Sequence, residues 1–185
     1  MTDNENFKRD KAAFDKAVET RTLEIELFWK RSIFFWGFIA SAFVGYAALH
    51  SKDSDLSILV ACFGMVCSAA WTLVNRGSKY WQENWETKVE EIEERVTGPL
   101  FKKQEPIQTN KGLWLRARRY SVTKLTIALS DFTFLLWLVI VLYHGWILLS
   151  DWKGVFKPVL IVFSLIFVAL MLWKGKSTIP DDRKS

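Results

Sequence analysis

Few residues in this chain have the types and spacing that catalysis or metal binding requires. The 185 residues include only two Cys and two His. Cys62 and Cys67 are five positions apart in one apolar segment, so on a helix they point to different faces and are not expected to form a disulfide or a thiolate zinc site. His50 and His144 lack nearby carboxylates in their own segments, although they could approach one another. Walker, GxSxG and GxGxxG motifs are absent. We therefore predict a protein that is not an enzyme and has no catalytic residue, metal or cofactor.

Asp131 is the residue whose chemistry stands out most. It lies six residues into an apolar segment, where a carboxylate is costly and normally faces a partner or water. One interpretation is an interfacial carboxylate paired with Lys124, Arg119 or a tryptophan indole. The other is an intramembrane charge used for ion permeation or proton coupling. We favour the first interpretation and keep the second open.

Four apolar segments set the class of the protein. A stretch of roughly 20 apolar residues is long enough to cross a bilayer, and the backbone of such a stretch must be helical because lipid offers it no hydrogen-bond partners. We predict an all-α, polytopic membrane protein with four transmembrane helices. The predicted spans are Ser32–Leu49, Leu56–Val74, Leu125–Leu149 and Val155–Trp173.

The distribution of positive charge predicts the topology. All but three of the 25 Lys and Arg residues lie before span 1, between spans 2 and 3, or after span 4; the exceptions are Lys52, Lys153 and Lys157. Positively charged connections stay in the cytoplasm. The N-terminus, the C-terminus and the long middle segment are therefore predicted to be cytoplasmic.

Spans 1 and 2 are predicted to belong to longer helices. Apolar residues recur at helical spacing before span 1, from about Asn4, and again after span 2 up to Thr97, where Gly98 and Pro99 form a stop signal. Pairing the two extensions buries both stripes in a cytoplasmic helical hairpin. The predicted organisation is a cytoplasmic amphipathic helix (1–31), a transmembrane hairpin of spans 1 and 2 (32–74), a cytoplasmic helix, loop and basic interfacial segment (75–124), a transmembrane hairpin of spans 3 and 4 (125–173) and a cytoplasmic tail (174–185).

Small residues predict where helices meet. Helices in lipid associate by close packing, so small side chains at regular spacing mark contact faces, within the chain or between subunits. We expect spans 3 and 4, rich in large apolar side chains, to face lipid. An aromatic stripe near the end of span 2 is too large for one partner helix to cover, and this favours a homo-oligomer. The predicted oligomer or helix-packing residues are Gly37, Ser41, Gly45, Gly64, Ser68, Trp71, Asn75, Trp81 and Trp85.

A basic, aromatic stretch precedes span 3. Arg116, Arg118, Arg119 and Lys124 lie beside tryptophan and tyrosine, a composition typical of the headgroup zone. We predict that these residues contact lipid headgroups and that anionic lipid is their partner. Nucleic-acid binding is the alternative for such a cluster, and the neighbouring span makes it the weaker one.

The segment around the end of span 2 also resembles a known family. The stretch from Glu24 to Arg31, the run from Trp71 to Glu86 and the Val96–Leu100 segment resemble the RipA family of octameric bacterial membrane proteins, over roughly residues 14 to 101. The resemblance implies a homo-octamer in the bacterial inner membrane. It implies no catalytic residues or substrate.

The sequence thus predicts a non-enzymatic, ring-forming inner-membrane protein that acts as a scaffold or as a pore gated from the cytosol. The alternative is a membrane-anchored sensor or adaptor that binds a cytosolic protein through its helical hairpins. Membrane lipid and the chain itself are the expected partners.

Overall fold

The computed structural model describes residues 3–52, 55–101, 120–150 and 154–176. Within these ranges the chain forms four α-helices and no strand. The helices are α1 (Asp3–His50), α2 (Leu56–Val96), α3 (Val122–Ser150) and α4 (Phe156–Lys174). Each is long and apolar enough to cross a membrane. The predicted all-α class with four transmembrane helices is confirmed.

Two of the helices are far longer than a bilayer requires. Helix α1 has 48 residues and α2 has 41, whereas about 20 suffice to span the hydrocarbon. The predicted extensions are therefore helical, and both helices end within one or two residues of the predicted positions. Helix α3 begins at Val122, three residues before the predicted span. Just before it, the Ser121 hydroxyl accepts a hydrogen bond from the Lys124 N–H at 3.4 Å.

Glycine ends α2 as the sequence predicts. Gly98 has a φ of 76°, a backbone conformation that residues with a Cβ rarely adopt. The N–H groups of Thr97 and Gly98 both donate to the Glu93 carbonyl, at 2.8 and 2.9 Å. The Glu93 carboxylate, fully buried, accepts the N–H of Phe101 at 2.7 Å. These bonds satisfy backbone groups that a helix terminus would otherwise leave unpaired.

The chain folds into two compact units, and α1 and α2 contribute residues to both. We call residues 1–31 with 75–125 the paired-helix unit, and residues 32–74 with 126–185 the apolar unit. The compartment of each unit stays a prediction, as do the predicted domain limits.

An apolar seam holds the paired-helix unit together. Phe14 and Ala17 of α1 pack with Val89 of α2 at its centre. Phe14 and Ala17 are three residues apart and so share one face of α1, and this face packs against the face of α2 that carries Val89. Partly buried side chains flank the seam: Val18, Trp85, Ile92 and Val96.

Polar contacts along the seam fix the direction of the two helices. Arg95 pairs with Asp10 at 3.2 Å, and Arg21 pairs with Glu86 at 3.5 Å. The partner on α2 therefore has a lower residue number as the residue number on α1 rises. The two segments are antiparallel, as the hairpin prediction requires. The ion pairs are partly exposed and contribute little stability individually.

Helix α2 is the most enclosed helix of the apolar unit. Of the most apolar 18-residue window of each helix, 56% is buried in α2, against 17% in α1, 22% in α3 and 17% in α4. The core around α2 is built from small and apolar side chains of all four helices. Its buried members are Ala42, Ile58, Ala61, Cys62, Met65, Ala69, Trp137, Val141, Ile161 and Val168.

Candidate functional site

In the apolar unit, the α2 backbone lies very close to a side chain of another helix at Gly64, where it meets Trp137 of α3. A Cβ placed on Gly64 would lie 2.5 Å from Cε2 of the indole, 2.6 Å from Cδ2 and 2.7 Å from Cζ2. Cε2 is a ring-fusion carbon, so an approach this close comes over the face of the ring. Trp137 is fully buried. Only glycine allows the α2 backbone to lie against this indole.

Aromatic rings of α1 complete the environment of Trp137. The Phe43 ring stacks on the indole with centroids 4.4 Å apart, and the Tyr46 ring meets it edge-on at 5.8 Å. Since one indole face already abuts Gly64, Phe43 occupies the other. Stacked and edge-to-face aromatic pairs of this kind contribute about 0.5–1.5 kcal/mol each beyond their buried area. The indole therefore joins three helices.

The predicted contact residues of α2 are buried within a single chain. Gly64 and Ser68 face the core, and the Ser68 hydroxyl donates to the Gly64 carbonyl at 2.8 Å. The residue that Gly64 meets belongs to α3, however, and not to the small-residue face of α1. The expectation that α3 would face lipid is therefore wrong at Trp137.

The predicted contact residues of α1 behave differently. A Cβ on Gly37 would meet nothing within 4 Å, and Ser41 is exposed. Gly45 comes closer to the core, since its Cβ would lie 3.8 Å from Val60 of α2. Most of the small-residue face of α1 is thus uncovered in the single chain.

The three tryptophans at the end of span 2 do not form one exposed stripe. Trp71 is buried and meets Trp36 of α1 edge-on, with centroids 6.4 Å apart. Trp85 is half-buried, with the Lys88 ammonium 4.2 Å from its ring centroid. Trp81 alone is exposed, at 41% of its surface. The expectation of a shared exposed stripe is wrong because α1 already covers Trp71.

Asn75 lies among buried polar side chains of the paired-helix unit. It is almost fully buried, and its side-chain Nδ2 has no hydrogen-bond partner among the described residues. Nearby on α2, the Ser78 hydroxyl accepts a bond from Arg31 at 3.0 Å, and Gln82 accepts one from Thr123 at 3.4 Å. An amide donor left unpaired in a buried setting is destabilising by about 1–3 kcal/mol.

Asp131 is half-buried on α3 and interacts with other residues of the chain. The indole N–H groups of Trp71 and Trp137 have no hydrogen-bond partner within the described ranges, so neither donates to this carboxylate. Lys124, in the first turn of α3, is exposed. The other predicted headgroup residues, Arg116, Arg118 and Arg119, lie outside the described residues.

Both histidines meet at one end of the apolar unit. The Tyr46 hydroxyl lies 3.0 Å from Nε2 of His144, and the His50 and His144 rings are 5.9 Å apart. The two histidines, which the sequence allows to approach one another, thus lie close together. In the part of the chain that the structure describes, no group of three His, Cys, Asp or Glu side chains could hold a metal ion.

Sequence reasoning missed the central residues of this packing, namely Trp137, Phe43 and Tyr46. One signal was available. Tryptophan in a membrane helix is enriched at the water interface, whereas Trp137 lies in the middle of its predicted span. An indole at that depth, with a glycine in another span, favours a buried helix contact.

Four apolar helices packed in this way define a multi-pass α-helical membrane protein. The chain belongs to the octameric membrane protein family (8xMP), whose model matches residues 11–147. The family's name implies that the protein assembles with itself as an octamer. The predicted relationship to octameric membrane proteins is confirmed, and the RipA name is not tested by this match. No curated protein and no solved structure matches the chain.

Proposed function

We propose that this protein forms a non-enzymatic ring in the bacterial inner membrane, which acts as a scaffold or as a pore gated from the cytosol. The observation that supports the proposal best is the uncovered small-residue face of α1. An octamer needs a surface on which copies of the chain approach closely, and this face offers one. The absence of nucleotide-binding and hydrolase motifs from the sequence supports a role without catalysis.

The α1 face combines exposure with small size. Gly37, Ala40, Ser41 and Ala48 recur at helical spacing, and all are exposed in the single chain. Small side chains let a second helix come near, which is how helices associate in lipid. The exposed faces of α3 and α4 instead carry large apolar side chains, among them Phe132, Leu135, Val139, Val159, Phe163 and Ile166. Such surfaces suit lipid, so α1 is the better candidate for the subunit contact.

A matched pair of substitutions tests this assignment. Ala40→Leu adds bulk to the α1 face, and Ala169→Leu adds the same bulk to an exposed position of α4. We expect Ala40→Leu to reduce the octamer to smaller species while the helix content stays unchanged. Ala169→Leu should remain octameric. The number of subunits is measured by native mass spectrometry and by imaging in nanodiscs. Loss of the octamer in Ala169→Leu but not in Ala40→Leu would refute the assignment of the α1 face as the subunit contact.

Flux measurements separate a pore from a scaffold. Octamers in liposomes at high protein density should pass ions or a small dye if the ring conducts. Ala40→Leu should abolish the flux because it disrupts the ring, whereas Ala169→Leu should not. Tight vesicles that contain intact octamers would rule out a pore under those conditions and favour the scaffold.

The proposed topology places both termini in the cytoplasm, with the two short connections outside. It is supported by the concentration of Lys and Arg in the N-terminal, middle and C-terminal segments. Reporter fusions at each end test it. Fusions that are active in opposite compartments would contradict the topology.

Anionic lipid is the proposed partner of the basic stretch from Arg116 to Lys124, because of its composition and its position next to the third predicted span. Substitution of Arg116, Arg118 and Arg119 by Gln should lower the amount of anionic lipid that copurifies with the octamer. Unchanged lipid content would contradict the assignment.

A second candidate is an adaptor that binds a cytosolic protein. Large side chains of the paired-helix unit favour it, because Tyr80 and Trp81 are 49% and 41% exposed. A photo-crosslinking residue at Trp81 tests it in cells. Adducts that are multiples of the subunit mass support the ring alone, and a reproducible adduct of another mass supports the adaptor.

A further inference from the structure

Three ring side chains gather at one end of the apolar unit. Tyr46 and His50, one turn apart on α1, stack with centroids 5.3 Å apart and planes only 10° from parallel. His144 of α3 stands edge-on to both, at 5.9 Å from each centroid. The 3.0 Å contact between the Tyr46 hydroxyl and Nε2 of His144 joins the two helices. We call these three residues the histidine–tyrosine cluster.

Among the described residues, α4 and the residue before α2 contribute charged side chains near the cluster. Lys157 of α4 acts electrostatically on His144, and it forms an ion pair with Asp55. Tyr143 of α3 is a further titratable neighbour of His144, and the centroids of the two rings are 6.1 Å apart. The Lys157 ammonium and the Asp55 carboxylate thus form a pair of opposite charges near the cluster.

We propose that the histidine–tyrosine cluster is a proton-sensitive contact between α1 and α3, closed when both imidazoles are neutral and loosened when they become protonated. Protonation brings two like charges to within 5.9 Å of each other, beside the ammonium of Lys157. It also converts Nε2 of His144 from an acceptor of the Tyr46 hydroxyl into a donor. Among the described residues, the carboxylate of Asp55 is already paired with Lys157.

The direction of the pH dependence follows from proton binding. Repulsion among the clustered charges opposes protonation in the folded chain, while the unfolded chain lacks that repulsion. The unfolded state therefore binds more protons once the pH falls into the range where histidine titrates, and stability falls with it. Above that pH range the loss of stability disappears, because the two histidines are then neutral in the folded and in the unfolded chain.

The cluster is coupled to the core through Tyr46. The same ring that contacts His144 meets the buried Trp137 edge-on at 5.8 Å. Loosening of the contact should therefore change the environment of that indole. In the proposed topology this end of the unit faces outward, where the medium sets the pH, although the inference itself does not depend on topology or on the octamer.

The test uses the full-length protein in detergent micelles between pH 8 and pH 5. Thermal unfolding is followed by tryptophan fluorescence for the wild type and for the double variant His50→Gln/His144→Gln, which removes both histidines of the chain. We expect the wild-type Tm to fall by about 4 °C between pH 7.5 and pH 5.5. The double variant should lose less than about 1 °C over the same range. Lys157→Met should reduce the wild-type fall because one of the three cations is gone.

A purely structural role for the histidines gives a different pattern. It would lower the Tm of the double variant by the same amount at every pH, leaving the pH profile parallel to that of the wild type. Parallel profiles, or a wild-type Tm that does not change with pH, would overturn the proposal. The Ala40→Leu and liposome experiments above can fail or succeed without altering this result, so the two proposals are tested separately.

Discussion

Substitution of Gly64 by Ala tests the close packing of α2 against Trp137 in the apolar unit. The added methyl group would lie 2.5 Å from Cε2 of Trp137, whereas ordinary van der Waals contacts begin at 3.4 Å. The indole would have to retreat by roughly 0.9 Å. It cannot do so freely, because Phe43 stacks on its other face at 4.4 Å.

The expected change in stability on Gly64→Ala is the sum of two opposing effects. Overpacking a well-filled core destabilises it by about 1–3 kcal/mol. Alanine in place of glycine stabilises a helix by about 1 kcal/mol. The control Gly77→Ala, on the same helix, gains the second effect alone, since a Cβ there meets nothing within 4 Å. We therefore expect Gly64→Ala to be less stable than Gly77→Ala by about 2 kcal/mol, or roughly 4–8 °C in Tm.

The native cysteines provide an assay. Cys62 is buried in α2 and Cys67 is half-buried, so a thiol-reactive fluorophore reports their exposure as the protein unfolds in detergent at neutral pH. Trp137→Leu should remove much of the penalty of Gly64→Ala, because the smaller side chain leaves room for the methyl group. The double variant would then be more stable than the sum of the single effects predicts.

Two results would refute this reasoning. Gly64→Ala could raise the Tm as much as Gly77→Ala does, or the double variant could show strictly additive effects. Either outcome would mean that the α2 backbone and the indole are not in contact in the folded protein.

Three further predictions concern other parts of the chain. Gly98→Ala should lower stability by about 1–2 kcal/mol, measured as a fall in Tm, because the positive φ of Gly98 is unfavourable for alanine. Val89→Ala should lower the stability of the paired-helix unit by about 2 kcal/mol, which corresponds to a roughly 30-fold faster hydrogen–deuterium exchange in residues 10–21. Unchanged exchange would contradict the packing of Val89 in the seam. Tyr46→Phe should cost about 1 kcal/mol at neutral pH by removing the bond to His144, while the ring contact with Trp137 persists; a Tm equal to that of the wild type would count against the bond.

Much of the fold could be predicted from the sequence because its determinants are local. Apolar runs of bilayer length specify the spans, and the glycine at position 98 specifies where α2 stops. The helical spacing of Phe14 and Val18 in one extension, and of Val89, Ile92 and Val96 in the other, specifies which faces of the extensions pair. Each of these features is contained in one short stretch of chain, so no knowledge of distant contacts is needed.

The packing inside the apolar unit could not be predicted in the same way. Small residues indicate that a helix comes close but not which helix, so Gly64 alone cannot reveal that its neighbour is Trp137. Trp71 presents a different difficulty. A large aromatic residue near the end of a span can be exposed or buried, and Trp71 is buried because Trp36 of another helix packs against it. Such contacts depend on residues far apart in the chain.

The contact between Gly64 and Trp137 also has a consequence for biosynthesis. More than 70 residues separate the two along the chain, and a ribosome adds about 5–20 residues per second. Helix α2 therefore enters the bilayer roughly 4–15 s before the indole that will cover it has been made. During that interval lipid or the insertion machinery must cover the surface around Gly64. We expect the chain to be open to wrong pairing or degradation while only its first two spans are inserted.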